Sequence, residues 1–565
     1  MSWTLKKKAQ ALLAAEAGTV RKDWGGRVAV ALVYPNTYAV GMSNLGFQTM
    51  YRHLNALPDV VCERVFLPDP ADEAEIRRTG SAPFALESLR SLHDFPLIGF
   101  SITYEGDYIN ALRLLDMAGI PLRAAERGPR DPIVLMGGVC AFSNPEPLAP
   151  FMDFIVVGEG EEIAGELVAA YQGAGGDRVR FLGAVSALEG VYVPSRHEAS
   201  YGSDGALTDV APLGGAPRVV VKRRLRNVDA FETIAAVKTP NAEYGHMALL
   251  EVGKGCGRGC RFCLEGQVYR PVRHRSVDAL RATIARFKAE GETRVGLVGA
   301  CVSDYPWIGD LLKIVADEGL ELSISSLRAD SLTPDLASAL ARGGHRTLTV
   351  APEAGTERLR GVIRKAITDE QLMGACDLVR ANGIPNLKTY FMIGQPTETD
   401  EDVEAIGDLA RRMLERLRVP SPDGRPFGRL TLSVSSFVPK PWTPFQWAPF
   451  DGAQRLSAKL ETIKRSVRRL ANVRVLHENP REAELQALLA RGDRRVGDFL
   501  EIAARLDGDW RRALREWDGD PARHTTRARL VDERLPWDHF DVGVKKAGLI
   551  REWERAHAPA AAGAA

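Results

Sequence analysis

Residues 247–263, MALLEVGKGCGRGCRFC, set the reading of the whole chain. An apolar run of strand character, MALLEV, opens into a loop with glycine at 253, 255, 257 and 259 and cysteine at 256, 260 and 263. Thiolates gathered this closely are soft ligands, which select zinc, copper or iron–sulfur clusters. Glycine at alternate positions lets the backbone wrap tightly around whatever they hold. The spacing is Cys-x3-Cys-x2-Cys. Three thiolates suit three irons of a four-iron cubane and leave the fourth iron open for a substrate or cosubstrate. The alternative is zinc held by Cys256, Cys260, Cys263 and His274, but the paired Cys-x2-Cys spacing of such sites is missing.

Downstream of this loop, apolar strand runs alternate with helical spacing to about residue 450. The strand candidates are MALLEV, RVGLVGA, LELSISSL, TLTVAPE, LKTYFMIG and RLTLSVSSF. Six strand–helix repeats are fewer than the eight of a closed barrel, so 246–450 is expected to form a partial (β/α)6 TIM-like barrel. The cysteines then sit at the end of its first strand, where barrels carry their chemistry.

Upstream, residues 27–175 alternate in the same way. RVAVALVY, PLIGFSIT, PIVLMGG and FMDFIVVGEG read as buried strands, with helical spacing in GFQTMYRHLNAL and DYINALRLLDMAG. This is the pattern of a doubly wound, Rossmann-like parallel sheet, with ligands at the strands' carboxyl ends. Residues 1–26 read as an N-terminal helix. Residues 176–245 read as a connector with short strands, 451–556 as a mostly helical region, and 557–565 as a disordered tail.

Composition excludes some functions. The net charge is +1 in 565 residues, without the basic excess of a nucleic-acid coat. No apolar run approaches the roughly 18 residues of a membrane span. Seven cysteines, mostly solitary, fit a reducing cytoplasm better than a disulfide framework. Residues 491–534 hold eleven arginines against ten acidic residues, a balance that reads as an ion-paired helical surface, with RGDRR at 491–495 as the stretch that could present arginines to a phosphate or carboxylate.

Cys256-Gly-Arg-Gly-Cys260-Arg-Phe262-Cys263 resembles the signature of the radical S-adenosylmethionine superfamily. The resemblance implies a [4Fe-4S] cluster whose open iron is chelated by S-adenosylmethionine, and an electron donor such as flavodoxin or ferredoxin. It also implies the cosubstrate's contacts. These are Phe262 in the loop, Gly299 and Ala300 after the second barrel strand, Ser325, Ser326 and Arg328 after the third, and Glu353 after the fourth. KTYFMIGQPTETDED is similar to the strand and turn beside the adenine. Cys301, just past a site strand, is carried as a candidate catalytic residue.

The first domain resembles the cobalamin-binding domain that precedes the barrel in many radical enzymes. That resemblance places a corrinoid against Ser101, Thr103, Gly137, Gly138, Gly158, Glu159 and Gly160. The sequence departs from the Asp-x-His-x-x-Gly motif that supplies a histidine to cobalt, since the loop PNTYAVGMSNLG has none. The C-terminal region resembles that of a subgroup of cobalamin-domain radical proteins without an assigned reaction.

The expected function is therefore radical cleavage of S-adenosylmethionine, with cobalamin-assisted methyl transfer to an unactivated centre. Two alternatives stand beside it: a cobalamin-independent rearrangement, cyclisation or hydrogen abstraction, and a non-enzymatic metal-binding scaffold. Methylthiolation of RNA or a ribosomal protein would need a second cluster, which Cys62 and Cys140 do not supply. The substrate is not legible in the sequence.

Overall fold

The computed structural model describes residues 2–325 and 327–558. The chain divides into two compact units. One comprises 1–246, 488–524 and 532–543, and the other 247–487, 525–531 and 544–565. Ser326 and residues 559–565, most of the expected tail, lie outside the described residues. Among the described residues no helix is long and apolar enough to cross a membrane.

The first unit is built on a six-stranded sheet. Its strands are β1 Val28–Tyr34, β2 Val60–Phe66, β3 Leu97–Ser101, β4 Ile133–Gly137, β5 Phe154–Val156 and β6 Val191–Tyr192, in the order β2-β1-β3-β4-β5-β6. All pairings are parallel except the last, β5 with β6. The chain runs outward from β1 to β2, then returns past β1 to β3, so the switch point lies between β1 and β3. The run VAVALVY forms β1 because it is buried on both faces, as a central parallel strand must be. Helices Leu45–Ala56 and Tyr108–Met117 are the two expected between these strands, and Trp3–Ala14 forms the N-terminal helix. The connector folds as a hairpin, β7 His197–Tyr201 with β8 Leu207–Pro212, followed by β9 Val220–Val221, which pairs with Phe540–Asp541.

The second unit holds the barrel strands β10 Ala248–Glu251, β13 Arg294–Val298, β14 Glu321–Ile324, β15 Thr347–Glu353, β16 Asn386–Ile393 and β17 Arg429–Ser436. Between the first two lies a small ladder, β11 Gly253–Lys254 with β12 Arg273–His274. The barrel strands form two parallel groups, β10-β13-β14 and β15-β16-β17, joined by a bridge between Leu327 and Val350. A seventh parallel strand, β18 Val473–His477, extends the second group beyond the six read from the sequence. It carries Arg474 and His477 on exposed positions, so its apolar signal is weak.

Candidate active site

The cysteine loop leaves β10 at the carboxyl end of the barrel strands. The ladder of Gly253 with His274 and Lys254 with Arg273 closes its two ends. Gly255 and Gly259 adopt φ of +84° and +73°, in the region glycine enters freely. A Cβ on Gly255 would stand 2.5 Å from the Tyr269 carbonyl oxygen, so the tight return of the loop requires glycine there.

Within this loop Cys260 is buried, Cys256 and Cys263 are half-buried, and none is in a disulfide. Burial raises the Cys260 thiol above its ordinary range, opposed by nearby Lys365 and Arg328 and reinforced by Cys256 and Glu353. Burial also pushes Cys263 up to about 12, with Glu265, Cys260 and Cys256 adding to the rise. Cys260 and Cys263 thus lie within electrostatic range of Cys256. Yet no three His, Cys, Asp or Glu side chains among the described residues are gathered as around a single ion. A cubane binds each thiolate to a different iron, so its three sulfurs need not converge on one point. His274 is exposed on β12, its ring edge-on to Tyr305.

The residues expected to touch the cosubstrate fall at the carboxyl ends of successive parallel strands, and so at one end of the sheet. Gly299 and Ala300 follow β13, with the Cβ position of Gly299 3.3 Å from Val252 at the end of β10. Ser325 follows β14 and is exposed. Arg328 forms a two-pronged pair with Asp330, both bonds 2.9 Å. Arg258, inside the cysteine loop, grips Asp304 through two 2.6 Å bonds and reaches Asp330 at 3.3 Å. The chain Asp304–Arg258–Asp330–Arg328 therefore ties the loop to the ends of β13 and β14.

Glu353 ends β15 with φ +68°, where a side-chain-bearing residue is strained, next to a break in register after Val350. Lys365 Nζ donates to its carboxylate at 2.7 Å. Gln395 Nε2 donates to its carbonyl at 3.0 Å and to that of Met392 at 2.6 Å, which pins the strained turn. Arg258, Lys365 and Gln395 were not among the expected site residues. Nothing in their sequence spacing marks them, because each acts through a fold-dependent partner. Cys301 Sγ lies 3.6 Å from Ser303 Oγ, and burial pushes its thiol up to about 11.

In the first unit, Ser101 and Thr103 lie at the end of β3, beside the switch point. Tyr34, the last residue of β1, shares a 3.0 Å hydrogen bond with Thr103. Asn36 donates to Asp107 at 2.9 Å. Asp107 is 3% exposed, and burial pushes its carboxyl up to about 6 against the pull of Asn36 and Asn110. Tyr34, Asn36 and Asp107 were not expected. The switch-point rule finds them only once the strand order is known.

The glycines divide. A Cβ on Gly138, at φ +96°, would stand 2.4 Å from the Ile102 carbonyl oxygen. On Gly158, at φ +131°, it would stand 2.1 Å from that of Arg223. Both positions are closed by the protein's own backbone. Gly160 faces Met50, and the Glu159 carboxylate accepts from the Leu225 amide at 2.7 Å. Gly137 alone of the four has open space at its Cβ position.

The arginines of RGDRR are engaged internally. Arg494 donates to Glu146 at 2.8 Å and to Tyr192 at 2.8 Å, while Arg495 pairs with Asp493 at 2.6 Å. Cys62 and Cys140 are buried in separate elements, β2 and the helix Val139–Ser143.

Residues 46–194 match the family described as radical SAM proteins, N-terminal, and residues 250–410 match the radical SAM superfamily. The uncharacterized protein MJ0966 of Methanocaldococcus jannaschii is 30% identical over 475 residues, covering 84% of this chain and 91% of that one. The tRNA-2-methylthio-N(6)-dimethylallyladenosine synthase of Sorangium cellulosum is 29% identical over 245 residues, 37% of this chain and 47% of that protein. Among solved structures, the radical S-adenosylmethionine methyltransferase TsrM of Kitasatospora setae, with cobalamin and a [4Fe-4S] cluster bound, shares the fold. Its TM-score is 0.52 at 14% identity, over 87% of this chain and all of that one.

Proposed function

Because this chain belongs to the radical S-adenosylmethionine superfamily, in the branch where a doubly wound domain precedes the barrel, we propose that it is a cobalamin-using methyltransferase acting on an unactivated carbon or phosphorus centre. It is a radical enzyme of the type whose [4Fe-4S] cluster, once reduced, cleaves S-adenosylmethionine to a 5′-deoxyadenosyl radical. Cys256, Cys260 and Cys263 would hold that cluster through three irons. Gly299 and Ala300 present backbone, without bulk, to the cosubstrate's amino group. Glu353, paired with Lys365, accepts hydrogen bonds from its polar groups, with Ser325 and Arg328 at the neighbouring strand end. A one-electron donor such as flavodoxin or ferredoxin would supply reducing equivalents.

The observation that carries this reading is the three-thiol loop, closed by β11 and β12, at the end of the first barrel strand, with strained Glu353 at the end of the fourth. The methyl-transfer part rests on the first unit. Its β1/β3 crevice offers neutral hydrogen-bonding groups, Tyr34, Asn36 and Thr103, suited to an amide-rimmed ligand. The likeness in fold to a cobalamin-bound methyltransferase supports it. Bound cobalamin would supply the methyl group. The loops after β1 to β5 contain no histidine, so this sheet offers cobalt no imidazole at its strand ends.

A second reading, radical chemistry without cobalamin, is favoured by the self-closed positions at Gly138 and Gly158. Titration with cobalamin, followed by electron paramagnetic resonance of the cobalt(II) form, separates the two. The proposal predicts cobalamin bound with its own base displaced and no histidine on cobalt, hence no nitrogen superhyperfine splitting, and loss of binding in Gly137→Phe. A protein that binds no cobalamin yet still forms 5′-deoxyadenosine selects the second reading.

A further inference from the structure

The last helix, Lys546–His557, meets the cysteine loop through Glu552. Arg261 stands between the second and third cysteines and is 8% exposed. Its amide donates to the Ile363 carbonyl at 3.0 Å, and Nη1 donates to that of Val362 at 2.5 Å. The remaining edge of its guanidinium faces Glu552 on the helix, with Nε and Nη2 at 3.1 and 3.0 Å from one carboxylate oxygen. Glu552 is also approached by Arg555 at 2.7 Å and Arg364 at 3.5 Å. Burial works against its charge, but these arginines win and hold its carboxyl below the ordinary range. The next loop residue, Phe262, packs on a cluster of Ile363, Met392, Phe437, Phe445, Ala448 and the helix residue Ala556. Trp553 stacks edge-on against Phe445 and Trp447 in the same layer.

We propose that Glu552 is a positioning residue of the iron–sulfur site, and that the C-terminal helix fixes the backbone from Cys260 to Cys263 through Arg261. The physical reason is the environment of Arg261. With Glu552 present, a nearly buried guanidinium has its charge answered and its fork held in one orientation. Without it, the charge is left beside carbonyls alone, and the cheapest relief is for Arg261 to swing out toward water. Arg261 adjoins Cys260 and lies two residues from Cys263, so that movement shifts two of the three ligands. A helix distant in sequence thereby sets how firmly the cluster is held and how its charge is solvated.

This inference rests on the cluster reading, and the test separates the two. Full-length wild type, Glu552→Gln and Glu552→Asp are reconstituted anaerobically. Iron release to a chelator, the midpoint potential and the spectrum of the reduced cluster are measured, with thermal melting alongside. Glu552→Gln should release iron about tenfold faster with an altered spectrum, while the melting profile of the cluster-free protein stays close to wild type. Glu552→Asp, which keeps the charge, should release iron more slowly than Glu552→Gln. Wild-type release, potential and spectrum in Glu552→Gln would overturn the role of the helix while leaving the cluster in place. A wild type that takes up no four-iron cluster would overturn both.

Discussion

Glu353 is the residue of the second unit where backbone strain and an ion pair coincide. Its left-handed backbone costs on the order of 1–3 kcal/mol, a strain that persists only where surrounding contacts over-determine it. Lys365 and Gln395 supply those contacts. Glu353→Gln keeps the shape and removes the charge. Equilibrium binding of S-adenosylmethionine to the cluster-loaded variant should weaken roughly tenfold, about 1.4 kcal/mol, with iron content unchanged. Unchanged affinity would make the carboxylate a partner of Lys365 alone. Asp107 is the corresponding residue of the first unit. Burial lifts its folded pKa from 3.8 to about 6, so the folded state binds the extra proton between those values. Its contribution to stability is complete below about pH 4 and is lost as pH rises through about 6. The lost amount is up to about 3 kcal/mol. Asp107→Asn should remove this slope and leave the variant more stable than wild type at pH 8, read by denaturant unfolding across pH. A wild-type slope in the variant would contradict the assignment.

At the scale of elements, the sequence showed strands where burial is apolar and hid them where burial is charged. The runs that became β1, β3, β4, β10 and β13 to β17 are continuous or alternating apolar segments. β2 was missed because VVCERVF carries Glu63 and Arg64 in its middle, yet they are 3% and 0% exposed. Their charges are answered from far along the chain. Glu16 and Glu87 each lie 2.6 Å from Arg64, and Trp24 donates to Glu63 at 2.7 Å. No local pattern can reveal such partners. The glycines show the same limit: composition marks them as special, but only packing separates Gly138, pressed on Ile102, from open Gly137. Gly138→Ala should lower stability by about 2 kcal/mol or more, because it adds both a positive-φ penalty and a backbone clash. Gly137→Ala should melt within a degree or two of wild type. Equal melting of the two variants would contradict the packing described for β4.

For the whole molecule, the three cysteines were legible because their spacing is local, and the expected cosubstrate contacts came from the family resemblance, with the barrel pattern setting them at strand ends. The supporting layer was not legible. Arg258, Lys365, Gln395 and Glu552 are ordinary charged or polar residues until the fold brings Asp304, Glu353 and Arg261 to them. The central proposal is that Cys256, Cys260 and Cys263 hold a four-iron cluster that opens S-adenosylmethionine reductively. The most direct measurement is the yield of 5′-deoxyadenosine from anaerobically reconstituted, dithionite-reduced protein. The protein with all three cysteines replaced by alanine is run in parallel, and the wild-type cluster is verified by electron paramagnetic resonance. The account predicts 5′-deoxyadenosine and methionine in equal amounts from the wild type, and neither from the triple variant. A wild type with a demonstrably reduced four-iron cluster and no 5′-deoxyadenosine, or one that binds stoichiometric zinc in place of iron and sulfide, would contradict it.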